Sequence, residues 1–391
     1  MKFANQLYRC LRPQSRTGLS NKINARLNNF EKRSKRTRLI SHPVKLDIVP
    51  TKLCNLNCIF CIQYSSAGVT QLSLSNFKIL ARKLFPYADS VYFCSGGEPF
   101  LNRNFLEFLD ICQNNQMLIN ITSNGTLLTE AISQKLIKND HIATFNFSFD
   151  GAKKETVESI RRGVSFEKVV NNMRAMADLK RVNKSEFPLL NINFAAMRRN
   201  IEELPDLVQQ AHKWGMDMVS VNYLNVANEI DPQESLFYHP ELRDKIFKEV
   251  RKISDAENIH VNLPEQVGAQ RNNRSCDCPW RFMKIDPDGS VKFCYKAWDN
   301  PIGNIFEGDD FNILWNSIHY QLLRKTINSD KPYFKYCRAC SVRTGSFDES
   351  AHIKDLREDL YEFDKDFEKM FNLTVPARTS SHAGDERSVR A

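Results

Sequence analysis

The chain has 391 residues, 42% of them apolar and 26% charged, with eleven cysteines and a formal charge of +9. These proportions exclude a single small module and a fibrous or low-complexity chain. No apolar run approaches the roughly 18 residues of a membrane span, and the start lacks a secretory apolar core, so the cytoplasm is the expected location. The charge is uneven: residues 1–40 carry eleven Lys or Arg against one acid, Glu31, for +10, and the remainder sums to −1.

The basic arm comes first. Phe3, Leu7 and Leu11 suggest a short helix stopped by Pro13, and Leu19, Ile23, Leu27 and Phe30 recur at helical steps, which predicts an amphipathic helix over about 21–30. Such an arm either packs its apolar stripe on the body with its charges in water, or docks on an anionic membrane surface, nucleic acid or an acidic partner. Its Arg-rich, acid-poor composition also matches an organellar transit peptide.

From Val44, β-rich runs alternate with helical apolar spacing. The runs are VKLDIV, SVYFC, LINIT, FNFSF, LLNINF and MVSVNYL, and the stretches between include Phe77, Leu80, Leu84 and then Phe105, Phe108, Leu109. Six βα units imply a parallel sheet, barrel-like or doubly wound, with chemistry at the C-terminal strand ends. The pattern ends near residue 260, and a polar stretch beginning at Gln266 suggests a boundary.

Eleven thiols without an export signal point to metal or redox use rather than disulfides. Cys54, Cys58 and Cys61 form C-x3-C-x2-C in the loop after the first strand. Three thiolates there can ligate three irons of a cubane and leave the fourth open, with Leu56, Ile59 and Phe60 as its apolar shell. A structural zinc site completed from elsewhere is the alternative. Further on, Cys278, Gly289 and Cys294 give C-x10-G-x4-C and Cys337 and Cys340 give C-x2-C, a set for zinc or a second cluster that spacing cannot separate. Cys10, Cys94 and Cys112 read as isolated thiols.

The run CNLNCIFC, with Phe60 in the aromatic place, resembles the signature of the radical S-adenosylmethionine (SAM) superfamily over about residues 44–345. That resemblance implies a partial (βα)6 TIM-like barrel, a catalytic 4Fe-4S cluster on Cys54, Cys58 and Cys61, and SAM on its open iron. Gly96, Gly97 and Glu98 resemble the motif that binds the SAM amino group. Ser123, Asn124 and Ser148 fall at strand ends that face its ribose and carboxylate. Arg162, preferred to Arg161, is the candidate guanidinium for the methionyl carboxylate, Asn193 is a weaker contact, and Asp150 either reaches the cofactor or caps a loop. The C-terminal cysteines resemble the SPASM and twitch auxiliary-cluster extensions. No cysteine follows Cys340, so the shorter twitch form fits, with one auxiliary 4Fe-4S cluster on Cys278, Cys294, Cys337 and Cys340 and Cys276 as a spare.

The expected organisation is an α/β protein with a basic arm at 1–43, the barrel at 44–265, a small iron-sulfur domain with a terminal helix at 266–372 and a disordered tail at 373–391. The expected activity is reductive cleavage of SAM followed by hydrogen abstraction from a peptide or protein, served by a flavodoxin- or ferredoxin-type electron donor. Two alternatives stand: a radical SAM dehydrogenase or epimerase of a sugar or other small molecule, and a non-catalytic zinc scaffold whose arm binds nucleic acid.

Overall fold

A computed structural model describes residues 18–61, 68–224, 226, 230–264, 275–297, 300–308, 310–338, 340 and 362–370. The expected helix at Phe3–Leu11, Cys10, most of the polar boundary, the segment 350–361 and the tail lie outside the described residues.

The six predicted strands all form: β1 (Lys45–Ile48), β3 (Ser90–Phe93), β4 (Leu118–Ser123), β5 (Ile142–Ser148), β7 (Leu189–Ala196) and β8 (Met218–Tyr223). They pair in parallel in that order, and β9 (His260–Asn262) extends the sheet beyond β8. At the other edge β10 (Phe282–Ile285) pairs in parallel with β1, and β11 (Val291–Lys292) returns antiparallel on it. One nine-stranded sheet therefore runs through the expected boundary at 265–266. Two short strands, β2 (Asn57–Cys58) and β6 (Arg161–Arg162), form a separate ladder.

Alternation along the strands separates two environments. Leu46, Ile48, Val91, Phe93, Ile119, Ile121, Phe145 and Phe147 belong to the main core between sheet and helices. There Phe77, of the helix Leu74–Leu84, stacks on Phe108 of Phe105–Asn114 with ring centroids 4.1 Å apart. Each such fully buried ring contributes about 1.5–3 kcal/mol. The intervening residues on the opposite face are polar and bond across strands: Thr144 donates to Asn120, Asn146 to the Ile121 carbonyl and Asn191 to Asn146. A concave sheet with a polar inner face is the partial barrel expected from the six units.

The helix α1 (Leu19–Arg33) corrects the expected packing of the arm. Its apolar stripe does not face the body. Asn21, Asn24, Asn28 and Glu31 are buried instead, while Leu19, Ile23 and Phe30 are exposed. The asparagines reach backbone carbonyls at the end of the helix Leu74–Leu84 and beyond: Asn21 donates to Phe85 and Ala88, Asn24 to Tyr87 and Asn28 to Trp280. Carbonyls left over at a helix end accept such bonds readily, and the Asn periodicity, not the apolar one, sets the face.

Candidate active site

The cysteine loop leaves β1 at the C-terminal mouth of the sheet. Cys54 is exposed and Cys58 and Cys61 are half-buried. Backbone bonds lock the loop to the turn after β3: Gly97 N donates to the Thr51 carbonyl and Glu98 N to that of Leu53, both at 2.8 Å. Only glycine permits this approach, because a Cβ at 97 would lie 1.8 Å from the Leu53 oxygen, and Gly96 takes φ +91. From the next strand end, Asn124 Nδ2 donates to Asn55 Oδ1 at 2.9 Å and lies 4.0 Å from Cys54 Sγ.

Glu98 is the centre of the mouth. Its carboxylate is 2% exposed and accepts from Ser123 Oγ and Asn124 N, each at 2.8 Å. Burial raises its pKa to about 7, and these hydrogen bonds only partly offset it. A buried acceptor at a strand end is suited to a cation.

The fourth wall comes from the β2–β6 ladder, in which Cys58 pairs with Arg161 and Asn57 with Arg162. Arg161 is buried, 2.7 Å from Asp150 and 3.8 Å from Cys58 Sγ, with its guanidinium 5.5 Å from the Phe60 ring centroid. Its Nε has no hydrogen-bond partner among the described residues, an orphaned donor that an anionic ligand group would satisfy. Arg162 points away and is exposed. The expectation for this pair is thus reversed: adjacent residues of a two-residue strand take opposite faces, and the inward one is 161. Asp150 is fully buried beside it and also accepts from Ala195 N.

Ser148 lies half-buried at the end of β5, in register with Asn193 of β7. Asn193 is held by Asn191, which donates to its Oδ1. Phe60 packs beside a small apolar cluster of Ile160, Met197 and Leu224. All these residues lie near the C-terminal ends of neighbouring strands. One further residue escaped notice in the sequence: Asp47, the single acid inside the run VKLDIV. It is fully buried on the inner face, hydrogen-bonds Ser95, and burial lifts its pKa to about 6.

Burial raises the Cys58 thiol, and burial together with the charges of Cys58 and Cys54 raises Cys61 to about 11. Thiols this close resist ionising together unless a cationic metal centre is among them. Among the described residues no three His, Cys, Asp or Glu side chains close on a single-ion site. Thiolates that each take a different iron of a cubane need not converge so tightly. With the orphaned Arg161 donor and the Gly97 cradle, these residues fit a cluster with a zwitterionic ligand.

A second thiol group lies beyond β10. Cys278 hydrogen-bonds both Cys276 and Cys294, so Cys276 sits within the group rather than apart from it. The buried Lys296 feels the charges of both Cys294 and Cys340. Cys337 is buried in the core nearby in sequence.

The sequence model of the Radical SAM superfamily matches residues 48–211, and that of the SPASM iron-sulfur cluster-binding domain matches 276–341. The chain is a member of the radical SAM superfamily. Its radical SAM core and SPASM region carry a catalytic 4Fe-4S cluster, SAM and auxiliary iron-sulfur binding, and the protein is an enzyme of radical chemistry. Curated relatives include mycofactocin maturase MftC of Mycolicibacterium smegmatis, 24% identical over 74% of this chain and 73% of the relative. The probable GTP 3',8-cyclase of Methanocaldococcus jannaschii is 25% identical over 74% of this chain and 96% of the relative. Among solved structures, Streptococcus suis SuiB superposes with a TM-score of 0.60 at 18% identity, over 77% of this chain and 72% of SuiB. SuiB has also been solved with SAM and with the precursor peptide SuiA. The likeness to SuiB supports the radical SAM fold found here. Among the described residues no helix is long and apolar enough to cross a membrane.

Proposed function

We propose that this chain holds its catalytic cluster on Cys54, Cys58 and Cys61 and abstracts a hydrogen atom from a peptide or protein. When bound and reduced, the cluster supplies the electron that breaks a C–S bond of SAM, so that methionine and 5'-deoxyadenosine are released and the substrate loses one hydrogen atom. The observation that carries this reading is Glu98, a buried carboxylate that forms no ion pair among the described residues, tied through its own backbone to the cysteine loop. Glu98 takes the ammonium of SAM, and the orphaned Nε of Arg161 takes its carboxylate. Ser123, Asn124, Ser148 and Asn193 line the approach of the ribose, Gly96 and Gly97 let the ligand reach the backbone, and Phe60 excludes water. Residues 44–265 bind SAM. The auxiliary group is Cys278, Cys294, Cys337 and Cys340, with Cys276 in hydrogen-bond reach, and a flavodoxin- or ferredoxin-type donor reduces the catalytic cluster.

The peptide class is supported by the maturase among the relatives and by the peptide-bound SuiB. A second reading, a sugar or other small polar substrate, is favoured by the inner face of the sheet, where Asn120, Thr122, Asn146 and Asn191 present amides and a hydroxyl. Anaerobic reconstitution, reduction and an assay for 5'-deoxyadenosine test the activity: none with SAM and reductant overturns it. Mass spectrometry then separates the substrate classes. A peptide that loses two mass units with matching 5'-deoxyadenosine, one as the abstracted hydrogen atom and one as a proton after the substrate radical gives its electron to the auxiliary cluster, supports the first reading, and turnover with sugar nucleotides but no peptide replaces it with the second.

A further inference from the structure

The outer face of α1 has no role in the site described. On a helix of 100° per residue, Leu19, Ile23 and Phe30 fall within about 40° of one another, and the buried Asn28 falls on the opposite side. These three side chains are 75%, 57% and 56% exposed. Ile40, whose N–H is held by the Glu31 carboxylate against the same helix, is exposed as well. Arg26 and Arg33 flank the ridge as exposed cations, and Arg36 lies 5.6 Å from the Phe30 ring centroid. The charge of residues 1–40 is +10 while the rest of the chain is −1.

A helix that anchors itself with asparagine and turns its apolar residues outward has its faces the reverse of an ordinary packed helix. We propose that this ridge docks the enzyme on an anionic lipid bilayer, with α1 lying in the plane of the interface. The shape and chemistry select that partner. The ridge is convex and aliphatic along most of its length, so it suits a soft planar hydrocarbon boundary rather than a peptide-binding groove. Nucleic acid would engage the arginines but would leave Leu19, Ile23 and Ile40 in water. A second copy on the same ridge would set Arg26 and Arg33 against their own counterparts. Anionic headgroups satisfy the cations while the acyl boundary takes the apolar side chains.

The test is co-sedimentation of the full, cluster-loaded protein with vesicles of phosphatidylglycerol and phosphatidylcholine, against vesicles of phosphatidylcholine alone. The expected result is binding to the anionic vesicles that weakens as salt is raised. Ile23→Glu should lower the partition coefficient about tenfold, and Arg26→Ser about fivefold. Both positions face solvent, so 5'-deoxyadenosine formation in detergent-free buffer should be unchanged and reports that the variants fold. No sedimentation, equal binding to neutral vesicles, or an Ile23→Glu protein that binds as the parent does would each overturn the proposal. So would a defined dimer of the parent that Ile23→Glu abolishes, with no vesicle binding.

Discussion

Arg161 stands 2.7 Å from the Asp150 carboxylate with both groups buried, and the same guanidinium reaches to 3.8 Å from Cys58 Sγ. The ion pair therefore supports the cysteine loop from beneath. Burial raises the Asp150 pKa, and Arg161 is the main influence restraining it. Arg161→Ala leaves a buried carboxylate uncompensated, and a loss of about 3–5 kcal/mol is expected. Arg162→Ala, at an exposed neighbour, should stay within about 0.5 kcal/mol. Urea denaturation of the two variants checks the difference. Near-equal losses would mean that the inward residue is not the one that matters.

Glu98 makes the cofactor-free protein sensitive to pH. Its folded pKa of about 7 lies above the ordinary 4.5, so the folded state holds the proton more tightly than the unfolded one. That contribution is complete below pH 4.5 and is lost as pH rises through 7. Glu98→Gln should remove this fall and make the cofactor-free protein less dependent on pH in that window, as read by denaturation midpoints. A ligand ammonium reverses the balance by favouring the carboxylate. Wild-type SAM affinity should therefore rise from pH 6 to 8 with proton release, measurable by calorimetry in buffers of different ionisation enthalpy.

Some of this was legible in the sequence, for identifiable reasons. The six inner strands announce themselves because LINIT, FNFSF and most of their companions alternate apolar and polar residues over four or five positions. β9 and β11 did not, because runs of two or three residues carry no period, and β10 did not, because FMKI is buried throughout and does not alternate; their place in the sheet comes from long-range pairing. The cysteine triad and the Gly96–Glu98 turn stand out by residue type alone. The choice between Arg161 and Arg162 does not, since only the ladder with Asn57 and Cys58 fixes which side chain turns inward. In α1 two helical stripes coexist, and apolar spacing pointed to the wrong one because the carbonyls that Asn21, Asn24 and Asn28 satisfy lie tens to hundreds of residues away.

Gly97 carries a prediction about cluster assembly. An added methyl would meet the Leu53 carbonyl at 1.8 Å, and that oxygen is backbone, so it cannot rotate aside. Gly97→Ala must push the turn away from the cysteine loop and break the bonds from Gly97 N and Glu98 N. The expected outcome is a folded chain with iron content reduced by about four atoms, one cubane. Iron analysis and the visible absorbance after anaerobic reconstitution measure it, and a full iron complement would show that the loop tolerates the displacement.

Asn28 tests whether α1 is held by polar contacts. Its Nδ2 donates to Ser41 Oγ at 3.0 Å and to the Trp280 carbonyl at 2.6 Å, and the residue is fully buried. Asn28→Ala orphans the Trp280 carbonyl at that contact, with an expected loss of about 1–3 kcal/mol. Asn28→Asp should be worse, because a carboxylate has no proton to give to these acceptors and would face them as a buried charge. Leu27→Ala, on the half-buried flank, should cost less than either. Thermal denaturation ranks the three variants, and limited proteolysis within residues 19–40 shows whether the loss is local to α1. If Leu27→Ala proved the most damaging, the apolar stripe would be the anchoring face after all, and the outward ridge on which membrane docking depends would not exist.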